Sequence, residues 1–132
     1  MKSFMKSLTL LKKTVIFHTD PYDPKSNPYR ILELKEVFPK LKIVLAHFVL
    51  DNKDVFRKIR RLEDVYIETS FCLSPRILER RVKEIGSERF LFGSDFPYGD
   101  MLIERLKIER SNLKKEEKER IFFLNAKRLL KL

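Results

Sequence analysis

Four short apolar runs, beginning at Val15, Ile43, Val65 and Phe90, are each followed by a segment of helical periodicity, and none alternates apolar with polar residues. Strands buried on both faces of a parallel sheet read this way, whereas a one-sided antiparallel strand alternates. The runs end at His18, His47, Thr69 and Phe92, a spacing of roughly 20 to 30 residues that holds a strand, a helix and two short loops. The pattern predicts an α/β fold of about four parallel βα units. A closed eight-unit barrel takes roughly 250 residues, so a chain of 132 residues is expected to form a partial TIM-type (β/α) barrel. With no low-complexity tract and no linker, residues 1–132 read as a single domain.

The helices carry their own signals. Ile31, Leu34 and Phe38 share one face, as do Leu78, Val82 and Ile85, and Phe122, Ala126, Leu129 and Leu130 do so near the end. Ser74 before Pro75 is an N-cap and first-turn pair, and Gly86 after Ile85 is a helix stop. Between His18 and the first of these helices, Pro21, Pro24 and Pro28 with Asp20, Asp23, Ser26 and Asn27 exclude regular structure. This long loop lies on the rim that the strand ends define, where loops shape substrate binding; Asp20 and Asp23 are also suited to capping turns.

Chemistry concentrates at the strand ends. His18 closes Val15-Ile16-Phe17, His47 closes Ile43-Val44-Leu45-Ala46, and Asp95 follows Phe90-Leu91-Phe92 within Gly93-Ser94-Asp95-Phe96-Pro97. Barrel enzymes keep their catalytic groups at the C-terminal ends of the strands. Each histidine alone reads equally well as a hydrogen-bonded structural residue. Taken with Asp95, the three predict one rim lined by metal-compatible side chains.

Charge and cysteine usage narrow the function classes. The net charge of +10 favours anionic partners, but Lys and Arg are interleaved with Glu on helical segments, as in Lys114-Lys115-Glu116-Glu117-Lys118-Glu119-Arg120. That is a solvated helix face, and nucleic acid is not the expected partner. Cys72, the single cysteine, has no disulfide partner and no second thiolate for a zinc site, which suits a reducing compartment; it is expected to be a small buried residue. No run approaches a membrane span, and Met1-Lys2-Ser3-Phe4-Met5 has neither the apolar stretch nor the cleavage site of a signal peptide, so the expected location is cytoplasmic. A charged fraction of 36% without glutamine is the drift seen in proteins of hot environments.

With these residues placed, the chain resembles the C-terminal half of the amidohydrolase superfamily's metal-dependent barrels, in the amidohydrolase 2 group. The resemblance runs through Phe17-His18-Thr19, Phe38 to His47, Val65 to Ser70, Ile85 to Pro97 and the closing Asn125-Ala126-Lys127-Arg128-Leu129-Leu130. It implies that His18 binds a divalent metal, that His47 serves metal or substrate, and that Asp95 holds the metal or the attacking water, with His47 and Asp95 as catalytic residues. Imidazole and carboxylate suit Zn²⁺, the expected ion, which lowers the pKa of bound water while Asp95 takes up its proton. A small-molecule substrate is implied, with hydrolysis of an amide, ester or related bond as the reaction; a related subgroup decarboxylates.

The chain also departs from the family. It has no His-x-His pair, which the family carries on its first strand, and Phe48 stands where a glycine often follows the second histidine. Phe48 is expected either to crowd the pocket or to pack against a neighbour outside this chain. An open half-barrel leaves two strand edges and an apolar face uncovered, so pairing is expected, with a second copy or with a complementary N-terminal half. Two other classes remain open at this point: a non-catalytic remnant or interaction module that keeps the fold, and a barrel-type metal-dependent deoxyribonuclease.

Overall fold

The computed structural model describes residues 2–132. The elements in chain order are α1 (Lys2–Leu10), β1 (Thr14–Phe17), α2 (Pro28–Val37), β2 (Lys42–Leu45), α3 (Lys53–Arg60), β3 (Val65–Glu68), α4 (Pro75–Ile85), β4 (Phe90–Leu91), α5 (Met101–Glu109), α6 (Lys115–Glu119) and α7 (Asn125–Leu130). The four strands form one parallel sheet in the order β1-β2-β3-β4, so all four C-terminal ends open on one rim. The partial βα barrel expected from the apolar runs is thus present, with the strand boundaries displaced by one or two residues.

Helix limits follow the local chemistry. Asn27 accepts from the Tyr29 amide at 2.9 Å and Pro28 opens α2; Ser74 accepts from the Ile77 amide at 3.3 Å and Pro75 opens α4. At the end of α4, Gly86 has φ 91°, a conformation open to glycine at no steric cost. The proline-rich loop is built of turns closed by Asp20 on the Tyr22 amide and Asp23 on the Lys25 amide. The Lys25 amide, with the Ser26 hydroxyl, holds the Asp23 carboxyl below its ordinary pKa. The basic and acidic run at Lys115–Glu119 forms α6 with no buried residue, as a solvated face requires. Helix α1, which the apolar pattern does not reveal, buries Met5 in the core.

The sheet has two unequal faces. Ile43, Leu45, Val65, Ile67 and Phe90 pack with Leu32, Phe56, Ile59, Leu78 and Ile108 into the main core on the helix side. The other face, which would line the interior of a closed barrel, carries Val44, Tyr66 and Leu91, covered by Leu129 and Ala126 of α7. Cover does not extend to β1, where Ile16, register partner of Val44, is 68% exposed. The continuous apolar run at Val15-Ile16-Phe17 is therefore buried on one side only among the described residues.

A π-helical turn at Arg120–Leu124 leads into α7. Its i+5 bond, from the Asn125 amide to the Arg120 carbonyl, leaves the Ile121 carbonyl free to accept from the Phe92 amide at 2.8 Å. Just past β4, the chain on the outer edge of the sheet is thereby hydrogen-bonded instead of being left open. Buried Asn125 adds two 2.8 Å bonds from its side-chain amide to the Ser87 and Phe90 carbonyls.

Cys72 is buried, and that burial pushes its thiol up to about 11 from an ordinary 9.0. The folded chain then holds the thiol proton more tightly than the unfolded chain. Stability is unaffected by this group below about pH 9 and falls as pH rises from about 9 toward 11. At neutral pH a thiol reagent is expected to label Cys72 only after unfolding; rapid labelling of the native chain would show that the side chain is accessible. Among the described residues no helix is long and apolar enough to cross a membrane.

Candidate functional site

The rim residues are delivered by four separate strand ends. His18 directly follows β1, and its ring meets that of His47, with Nδ1 of His18 2.8 Å from Nε2 of His47. The rings are 4.8 Å apart at their centroids and inclined by 67°. His47 Nδ1 lies 3.0 Å from the Ser70 hydroxyl. The hydroxyl donates to Glu68 Oε2 at 2.6 Å, and Glu68 also accepts from the backbone amides of Ser70 (2.7 Å) and His47 (3.1 Å). Phe71 sets its ring edge-on to His47 at 5.4 Å.

Asp95 shares a concavity of about 240 Å³ with His18, Thr19, Asp20, His47, Leu50 and Phe71. All three residues singled out from the sequence thus line one hollow at the C-terminal ends of the strands. The two histidines bond each other directly, and Asp95 lines the same hollow. Among the described residues no group of three His, Cys, Asp or Glu side chains is drawn together as a metal cluster. Imidazole and carboxylate nevertheless suit a divalent ion, with both ring nitrogens of His47 engaged by Ser70 and His18 in this arrangement. Glu68, Ser70 and Phe71 were not singled out from the sequence. Glu68 carried one signal, a carboxylate closing the apolar run Val65-Tyr66-Ile67. A second lies in Gly93, where a methyl group would overlap the Glu68 carboxylate, so the glycine of the Gly-Ser-Asp motif makes room for it.

The backbone that presents His47 is unusual. His47, Phe48, Val49, Leu50 and Asp51 all have positive φ, between 43° and 64°, a left-handed turn that costs non-glycine residues roughly 1–2 kcal/mol each. Packing and charge hold it. Phe48 neither crowds the pocket nor waits for an outside neighbour. The left-handed turn carries its ring into the core, 5.4 Å from the Phe56 ring and 5.9 Å from that of Phe90. Asp51, at the far end, accepts from Arg81 Nε at 2.6 Å and from Arg80 at 2.8 Å, and its carbonyl accepts from Arg81 at 3.1 Å.

Leu50 occupies this turn with φ 47° and a side chain 43% exposed. Leu50→Gly is expected to stabilise the chain by up to about 1 kcal/mol, the relief of left-handed strain exceeding the added freedom of glycine in the unfolded state. A rise in the urea midpoint at constant slope is the readout; a fall would mean that the turn is not strained at Leu50.

A parallel βα sheet with histidine and aspartate side chains at the C-terminal ends of its strands places the chain in the TIM-barrel class. The amidohydrolase family model matches residues 15–132, and the chain belongs to that family, in the amidohydrolase 2 group. Three solved structures illustrate the likeness. A TIM-barrel protein from Bordetella bronchiseptica superposes with TM-score 0.85 at 20% identity, over 98% of this chain and 50% of its own. Dihydroxybenzoic acid decarboxylase from Polaromonas, solved with bound manganese and the inhibitor 2-nitroresorcinol, gives 0.80 at 18% over 98% and 53%. 5-Carboxyvanillate decarboxylase from Novosphingobium aromaticivorans, also with manganese, gives 0.77 at 15% over 99% and 51%. The chain spans about half the length of these structures. No curated protein matches it by sequence.

Proposed function

We propose that the chain supplies His18, His47 and Asp95 to the divalent-metal site of an amidohydrolase-type enzyme acting on a small molecule, with hydrolysis of an amide, ester or related bond as the reaction. The observation that carries this reading is the convergence of the three side chains on one concavity at the strand C-termini. His18 and Asp95 are the donors toward the ion, His47 backs His18, and Asp95 also takes up a proton. A bound Zn²⁺ or Mn²⁺ supplies Lewis acidity and a water acidic enough to attack at neutral pH. Decarboxylation is the second reading, supported by the naming of solved neighbours as decarboxylases.

The site is proposed to work together with the remaining βα units of a barrel. Two surfaces support this. Beside β1, Phe17, Ile31, Leu34 and Val37 line an open hollow of about 480 Å³. Beyond β4, Phe96, Tyr98, Met101, Leu102 and Ile103 are exposed. Apolar surface at both ends of a four-stranded sheet, with Ile16 exposed on the interior face, is what a complementary half-barrel would cover.

Isothermal titration with Mn²⁺ and Zn²⁺, without and with a complementary half-barrel that carries a His-x-His strand, tests the reading. Weak binding by the chain alone that tightens with the complement, together with ester or amide turnover, supports it; carbon dioxide release from hydroxybenzoates would favour the second reading. No binding and no turnover in any combination would favour the non-catalytic reading.

A further inference from the structure

The hydrogen bonds behind the histidines have only one consistent direction. An ionised carboxylate accepts and cannot donate, and Glu68 is surrounded by donors: the amides of His47 and Ser70 and the Ser70 hydroxyl. The single hydroxyl hydrogen of Ser70 is therefore committed to Glu68 Oε2, at 2.6 Å. Toward His47 Nδ1, 3.0 Å away, the Ser70 oxygen can only accept, so Nδ1 of His47 carries the hydrogen. In the neutral ring Nε2 is then a bare acceptor. It lies 2.8 Å from His18 Nδ1, which must donate. The hydrogen of His18 is thus used on Nδ1, and its Nε2 is left as a bare donor atom.

We propose that Glu68 and Ser70 are positioning residues that fix both imidazoles in the Nδ1–H tautomer, so that His18 offers Nε2 as its free donor atom. Glu68 sets the direction and Ser70 transmits it, while His47 holds His18 through one nitrogen. Packing defends the arrangement. Ser70 is fully buried, Phe71 lies edge-on to the His47 ring, and Gly93 leaves space for the Glu68 carboxylate. Outer partners that fix a ligating histidine's tautomer typically change metal affinity 10–100-fold when removed. That consequence for metal binding rests on the function proposed above; the tautomers themselves do not.

The test is a long-range ¹H–¹⁵N correlation spectrum of the metal-free chain, recorded well above the ordinary imidazole pKa of about 6.5. Both rings are expected to show a protonated Nδ1 and a bare Nε2 as single species. Ser70→Ala removes the acceptor for the His47 hydrogen, and the His47 nitrogens should move to the averaged shifts of mixed tautomers while remote backbone amides stay in place. Should Ser70→Ala fail to fold, Glu68→Asp, which draws the carboxylate back from the hydroxyl, should give the same averaging. A wild-type ring with Nε2–H, or unchanged His47 shifts in a folded variant, would overturn the proposal. Because the reading is taken without metal or turnover, it stands or falls separately from the proposed function. In a parallel titration, Ser70→Ala should weaken Mn²⁺ binding at least tenfold.

Discussion

Arg81→Met should cost about 3 kcal/mol of folding stability, a large fraction of the 5–15 kcal/mol typical of a domain. The Arg81 side chain is only 4% exposed, and burial works against its charge. Its bonds to Asp51 at 2.6 Å and Glu84 at 2.5 Å outweigh that cost and hold its pKa above the ordinary value. The guanidinium also lies 4.4 Å over the Phe56 ring. Methionine fills the volume but leaves the largely buried Glu84 without its partner and Asp51 with Arg80 alone, and an uncompensated buried charge is where a broken pair costs most. A second effect follows from position. Asp51 ends the left-handed turn that starts at His47, so the turn loses an anchor just where its backbone strain must be opposed. Arg81→Lys should fall between wild type and Met, since an ammonium cannot reproduce the fork that reaches Asp51 Oδ1, the Asp51 carbonyl and Glu84 together. Urea unfolding followed by far-UV circular dichroism gives the number. A loss below about 1 kcal/mol would show that packing alone holds the turn.

Asp95→Asn should lower turnover at least 100-fold in the chain combined with a complementary half-barrel, within the 10²–10⁴-fold typical of a lost general base. The amide is nearly isosteric with the carboxylate, but it cannot take up a proton and is a poorer ligand for a divalent cation. Asp95 borders the concavity beside exposed Phe96 and Pro97, outside the main core, so the melting temperature should stay near that of wild type. His18→Ala should instead act first on affinity, weakening Mn²⁺ binding at least tenfold in titration by removing the proposed donor. The contrast between the two variants separates proton transfer from metal holding. Turnover that survives Asp95→Asn would remove Asp95 from the mechanism.

The left-handed turn and the rim residues are unequally legible in the sequence. His18, His47 and Asp95 could be placed on one rim because strand ends are marked locally, by apolar runs that stop. In a parallel sheet all such ends face the same way. The helix at Pro75 was legible for the same reason, since its Ser74 cap lies within three residues of the chain, whereas Asn27 and Pro28, read as part of the loop, instead cap and open α2. Ile16 was not, because the same run of β-branched and aromatic residues describes a strand covered on two faces or on one; the neighbours decide.

What the sequence determined by itself is therefore the order and direction of the βα units and the three polar side chains at their ends, all set by interactions a few residues long. Tertiary structure decided how those side chains meet. Phe48 enters the core because Phe56, Phe90 and the Asp51–Arg81 pair together compensate a left-handed backbone that no local preference favours. The contacts of Glu68 with His47 and of Ser70 with His47 span 21 and 23 residues, and the π turn matters because the Ile121 carbonyl meets the Phe92 amide. Each of these depends on groups from different βα units arriving at one place. Periodicity, which reports only how a segment faces its surroundings, carries no record of which partner will be there.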